Sequence, residues 1–174
     1  MTYAYLAAFL LVLAAGWLFR RKTVALGRAL FGESSRLRYV NRRWVIEGRA
    51  GGHTVRYTTG GFGLFPALTY LHVEVPLALT FSFAAGDAIP QVPGEAAALV
   101  AGLATRDGFK RIDAFDDAVL RMPVLGRVSW LAPAGGIMLR RFTRRGGDAA
   151  FVRDDLTDLL TIADALAARR GRPH

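Results

Sequence analysis

The first nineteen residues carry no charged side chain, and from Tyr3 to Phe19 every position is apolar apart from the single glycine Gly16. As a helix, this run is roughly 27 Å long, close to the hydrocarbon core of a bilayer at about 30 Å. The aromatic rings lie at its ends, Tyr3 and Tyr5 at one and Trp17 and Phe19 at the other. Amphipathic rings favour the headgroup level on both sides of a membrane. Arg20, Arg21 and Lys22 follow at once. The pattern predicts one transmembrane helix over residues 1–19, with Tyr3, Tyr5, Trp17, Phe19, Arg20, Arg21 and Lys22 at the membrane interfaces. A cleaved signal peptide is the first rival, and Leu13-Ala14-Ala15 offers small residues for cleavage. Such a peptide carries its cations before the apolar run, whereas here they come after it. A buried core helix is the second rival, disfavoured by length. The cation bias places the N-terminus outside and the rest of the chain in the cytoplasm, as a single-pass protein of the inner (cytoplasmic) membrane.

Residues 20–34 form a basic juxtamembrane segment. Val24, Ala25, Leu26, Ala29, Leu30 and Phe31 are apolar among Arg21, Lys22 and Arg28. The helix therefore either continues out of the membrane or bends along its surface, with Gly32 as a stop signal. Residues 35–174 then read as a cytoplasmic α+β domain. Arg43–Glu47 and His53–Thr58 are β-rich runs flanking Gly51-Gly52, which predicts a hairpin. Thr59–Gly63 reads as a loop. Leu68–Val75 reads as a strand interrupted at Pro76 and resumed over Leu77–Phe83. This makes four or five mainly antiparallel strands between residues 36 and 84. Ala85–Gly94 is a loop by its glycines and prolines. The alanine-rich Glu95–Thr105 is a short helix, Ile112–Met122 is ambiguous, and Val124–Trp130 and Ile137–Thr143 are two further strands. Leu156, Leu159, Leu160, Ala163, Leu166 and Ala167 repeat at helical spacing, predicting a C-terminal helix. Asp154, Asp155 and Asp158 would lie in its opening turns, with Arg169 and Arg170 closing it.

Composition narrows the chemistry. The chain has 174 residues, 52% of them apolar, and no cysteine. Disulfides, thiolate metal sites and a cysteine nucleophile are thereby excluded. The net charge is +9, and of the 23 basic residues only two, Lys22 and Lys110, are lysine. Nine basic residues stand against Glu33 and Glu47 between Arg20 and Arg49. A segment of this kind attracts anionic lipid headgroups, although it also serves simply to set topology. Arg140, Arg141, Arg144 and Arg145 form the densest basic cluster elsewhere and are the candidate anion or partner patch. Nucleic acid is not the expected partner, because only Phe142 interleaves with these cations.

No local catalytic signature is present. Gly61-x-Gly63 has Pro66 where a dinucleotide fingerprint needs its third glycine, and there is neither a phosphate-binding P-loop nor a G-x-S-x-G elbow. His53, His72 and His174 form no ligand pair by spacing. His72 and Glu74 share one strand face, which fits a proton-transfer pair or, more ordinarily, a solvated face. Asp113, Asp116 and Asp117 lack the ligand alternation of a calcium loop. The apolar span holds no ionisable group, which argues for an anchor and against a proton relay. No catalytic, metal or cofactor residue is therefore assigned.

In Gly48–Val55, Thr69–Leu77, Phe115-Asp116-Asp117 and the closing Asp155–Leu166 helix, the chain resembles uncharacterised bacterial single-span membrane proteins with a cytoplasmic α+β domain. The resemblance spans much of the soluble part and implies no activity and no site residues. The expected function is a non-catalytic accessory subunit of a multi-subunit inner-membrane complex, of photosynthetic or respiratory type, whose partners are membrane protein subunits. The alternative is a membrane-tethered module that binds lipid or a small ligand.

Overall fold

The computed structural model describes residues 2–40, 43–58, 66–77, 80–92, 94–116 and 135–168. A thirty-residue helix, α1, runs unbroken over Thr2–Phe31 and ends in a 3-10 turn over Gly32–Ser34. The juxtamembrane segment thus continues the helix rather than bending away. Gly32, at φ +58°, closes it as the left-handed stop residue that a glycine supplies most readily.

The rest is α+β. Among the described residues seven strands form one sheet: β1 (Arg36–Val40), β2 (Arg43–Ala50), β3 (His53–Thr58), β4 (Ala67–Glu74), β5 (Phe81–Ala84), β6 (Phe109–Phe115) and β7 (Gly136–Thr143). Their order is β1-β2-β3-β4-β7-β6-β5, and every neighbouring pair is antiparallel. The first four strands meander outward from β1. The chain then jumps to the far edge and returns inward, so that β7 closes the gap beside β4. The β2–β3 hairpin pairs Ala50 with His53 across Gly51-Gly52. Both glycines have positive φ, +56° and +81°, as a two-residue turn matched to strand twist requires.

Helix α2 (Gly94–Thr105) and helix α3 (Ala149–Ala167) cover one face of the sheet. Ile46, Val55, Leu71, Val73, Ile112, Ile137 and Leu139 point into this layer, at the alternate positions the pleat allows. They meet Val100 and Leu103 of α2, and Leu156, Leu159, Ile162 and Leu166 of α3. Leu26 and Phe31 of α1 belong to the same core.

Two sequence expectations are corrected, and one open stretch is assigned in part. In the run resuming after Pro76, the strand described is Phe81–Ala84, and Pro76, Leu77 and Thr80 lie outside the ladder. The ambiguous Ile112–Met122 is strand as far as Phe115, in β6, which starts at Phe109 where Gly108 (φ +69°) turns the chain out of α2; the stretch from residue 117 on lies outside the described residues. Helix α3 starts at Ala149, so Asp154, Asp155 and Asp158 are not in its first turn. That place belongs to Asp148, the N-cap, whose carboxylate accepts from the backbone N–H groups of Ala150 and Phe151. The predicted loop Thr59–Gly63, the predicted strand Val124–Trp130, Asp117, Arg169, Arg170 and His174 lie outside the described residues.

Candidate functional site

Helix α1 has two regimes. Up to Leu18 its large side chains stand clear of the protein: Tyr3 is 87% exposed, Leu11 71% and Trp17 59%. One helical window here is long and apolar enough to cross a membrane, and none of it is buried against the domain. Arg21 stacks its guanidinium over the Trp17 ring at 5.5 Å. The predicted interface residues Tyr3 and Tyr5 stand near one end of this span, and Trp17, Phe19, Arg20, Arg21 and Lys22 at the other.

From Thr23 onward the helix is built into the domain. Thr23 is buried, and its hydroxyl is satisfied on its own helix by donating to the Phe19 carbonyl at 2.8 Å. Leu26 and Phe31 are buried. Contact this close needs glycine on both partners. A Cβ on Gly27 would lie 2.3 Å from Ser35 Oγ, and one on Gly48 of β2 would lie 2.3 Å from Phe31 Cγ. Arg153 of α3 donates to the Ala29 carbonyl at 2.7 Å, satisfying one of the carbonyls a helix end leaves open.

A cleft of about 630 Å³ opens where α1 leaves the domain. Lys22, Ala25, Leu26 and Ala29 form its helix wall; Arg144, Arg145, Gly147, Asp148 and Ala149 form the opposite wall. The β7–α3 connection holds the second wall in shape. Thr143 Oγ1 donates to Asp107 at 2.8 Å and accepts from the Arg145 backbone N–H at 3.0 Å. Arg145 donates to the Asp148 carboxylate at 2.8 Å and lies over the Phe151 ring at 4.5 Å. The Arg145 hydrogen bond, then the Phe151 N–H, hold Asp148 below the usual carboxylate range. Lys22 and Arg144 are exposed, and among the described residues neither has an ion-pair partner. A second groove on α1, lined by Trp17, Arg20, Arg21, Val24, Ala25 and Arg28, carries the cationic surface further round the helix.

The four arginines of the candidate patch do not form one surface. Adjacent strand residues face opposite sides of a sheet, so Arg140 and Arg141 diverge. Arg140 pairs with Asp113 at 2.9 Å on the face away from the helices. Arg141 is 2% exposed in the core. It holds both Asp155 oxygens, at 2.5 and 2.8 Å, and donates to the carbonyls of Leu103, Arg106 and Asp107 at 3.3, 3.3 and 3.0 Å. Arg106 adds a contact to Asp155 at 3.0 Å and another to Asp158. Arg141 therefore ties the end of α2 to α3, and only Arg144 and Arg145 face the cleft. Strand alternation alone signals the split between Arg140 and Arg141. The contribution of Lys22 is invisible in the sequence, because it lies 122 positions before Arg144.

The second face of the sheet carries a polar row. Arg56 donates to Glu47 at 2.8 Å and to Glu74 at 2.7 Å. His72 is the cross-strand partner of Arg56 and is 0% exposed. Its ring stacks on Phe115, with centroids 5.8 Å apart, and among the described residues neither ring nitrogen has a hydrogen-bond partner. Burial, and then the Arg56 charge, push its pKa down to about 3. The imidazole is thus neutral at physiological pH. Both sequence readings of His72–Glu74 fail. Glu74 is engaged by Arg56, and His72 is shut away from solvent. Asp113 accepts from Ser82 at 2.6 Å beside its ion pair with Arg140. At the hairpin, His53 Nε2 lies 2.8 Å from Asp164 Oδ1 and ties the turn to α3. Among the described residues no group of three or more His, Asp or Glu gathers to hold a metal. No family model, curated protein or solved structure matches the chain.

Proposed function

We propose that the protein is a single-span, non-catalytic accessory subunit of an inner-membrane complex, its N-terminus outside and its α+β domain in the cytoplasm. The observation that carries this reading is the construction of α1. One unbroken helix presents a bare apolar surface for its first turns and becomes part of the domain core in its last two. The anchor and the domain therefore move as one body, with no linker between them. Such a piece sets the height and orientation of a domain over a membrane face. The cations Arg20, Arg21, Lys22 and Arg28 at the junction favour a cytoplasmic domain. The ion pairs of Asp155 with the buried Arg141 and with the half-buried Arg106 join the end of α2, β7 and α3 and so serve the fold. In the complex, the exposed side chains of α1 pack against other spans, which are the membrane protein partners.

The test is copurification from the native host through a C-terminal tag in mild detergent. Stoichiometric recovery with one defined set of membrane subunits is expected. A monomer that brings down no other protein would refute the reading.

A further inference from the structure

We propose that the cleft between α1 and the β7–α3 connection binds the phosphate headgroup of an anionic phospholipid. The proposal rests on α1 spanning the membrane as described above. Four features of the cleft converge on this ligand.

The first is depth. The uncharged run ends at Phe19, and Lys22 lies three residues on, about 4.5 Å along the axis. That is headgroup level for a helix spanning residues 3–19. The second is charge. The cleft walls carry three cations and one carboxylate, and the carboxylate, Asp148, is already held by Arg145. Lys22 on one wall and Arg144 on the other are left to meet an anion. The third is shape. Ala25 and Ala29 follow Lys22 at helical spacing, and their small side chains leave room beneath the two cations. A volume of about 630 Å³ suits a headgroup and its glycerol. The fourth is continuity with the apolar span. Leu18, one turn before Lys22 on the same helix face, is 49% exposed. A lipid whose phosphate sits between Lys22 and Arg144 lays its acyl chains along that face. A soluble acidic peptide would have no use for this surface, and for that reason a lipid is favoured over a protein segment.

The experiment uses the full-length protein in detergent with equimolar phosphatidylglycerol and phosphatidylcholine, and reads bound lipid by native mass spectrometry. The wild type should retain one phosphatidylglycerol in preference to phosphatidylcholine. Each surface cation near an anionic headgroup contributes about fivefold, so Lys22→Gln/Arg144→Gln should weaken phosphatidylglycerol about 30-fold and leave phosphatidylcholine unchanged. Both side chains are exposed, and circular dichroism should show the same fold. Arg36→Gln/Arg38→Gln removes two cations from the edge strand β1, outside the cleft walls, and should change retention less than twofold. Equal retention of both lipids by the wild type would overturn the proposal. So would insensitivity to the Lys22/Arg144 pair, or an equal loss in the β1 variant. Displacement of phosphatidylglycerol by millimolar inorganic phosphate would show a free-anion site instead. The same double variant, tagged and copurified, separates this proposal from the accessory role. Partners retained with lipid lost supports the lipid site and leaves that role standing; lipid retained by the variant sinks the site alone.

Discussion

His72 makes the stability of the domain depend on pH in a window set by its burial. In the unfolded chain this imidazole titrates near 6.5; in the folded protein it resists protonation until about pH 3. Between these values the unfolded state binds a proton that the folded state refuses, so stability falls as pH falls through 6.5 and the loss levels off near 3. At pH 5 the gap from 6.5 corresponds to about 2 kcal/mol from this one side chain. The diagnostic replacement is His72→Leu, which has similar volume, cannot titrate and leaves no nitrogen unpaired. It gives up the stack on Phe115 but removes two buried unsatisfied nitrogens, whose cost is about 1–3 kcal/mol. The variant should therefore be no less stable than wild type at pH 7. The assay is thermal unfolding of both proteins in the same detergent at pH 7 and pH 5. Carboxylates destabilise both proteins alike on acidification, so the difference between the two isolates His72. The wild type should lose about 5 °C more than the variant between the two pH values. Equal losses would show that the ring gains a proton in the fold as easily as in the unfolded chain, and the burial argument would fail.

Other consequences follow from named contacts. Asp155→Ala leaves Arg141 buried without its carboxylate and should cost about 3–5 kcal/mol in chemical denaturation; a loss under about 1 kcal/mol would contradict the ion-pair account. Adding Arg141→Met to that variant should recover only part of the loss, because the carbonyls of Leu103, Arg106 and Asp107 then lose their donor. Gly48→Ala drives a Cβ into the Phe31 ring and should cost about 1–3 kcal/mol, read as a lower melting temperature. Its cost should shrink when Phe31 is replaced by Leu, and an unchanged cost would place the clash elsewhere. Asp148→Ala removes the α3 N-cap and should cost about 1 kcal/mol by the same measurement, with no change reading against the cap.

Patterns confined to neighbouring residues were legible in the sequence. The apolar run before Arg20, the Gly51-Gly52 hairpin, the alanine-rich α2 and the periodic leucines of α3 all declare themselves within a few turns or a few strand positions. What depends on residues far apart was not. Asp155 reads as helix-start chemistry because acids suit that place, yet its partner Arg141 lies on a strand that only the folded sheet brings beneath α3. Arg141 reads as surface because it is one of several neighbouring cations; strand alternation over Ile137–Thr143 separates it from Arg140 but does not say which of the two faces the helices. Gly27 and Gly48 look like ordinary glycines until Ser35 and Phe31 are seen above them. The same limit applies to the cleft. Lys22 and Arg144 line one cleft at the junction of α1 with the domain, a proximity no local spacing encodes.

The claim on which the whole account depends is that α1 crosses the membrane and leaves the domain in the cytoplasm. The absence of cysteine makes this directly measurable, since any introduced thiol is unique. Thr2→Cys and Asp87→Cys, expressed separately in the native host, would be treated with a membrane-impermeant maleimide before and after permeabilisation. Asp87 is exposed in the turn after β5. The account predicts labelling of the Thr2 variant from outside the cytoplasmic membrane in intact cells, and of the Asp87 variant only after the membrane is opened, with both in the membrane fraction. The reverse labelling pattern, or a soluble product that has lost its N-terminal residues, would contradict it.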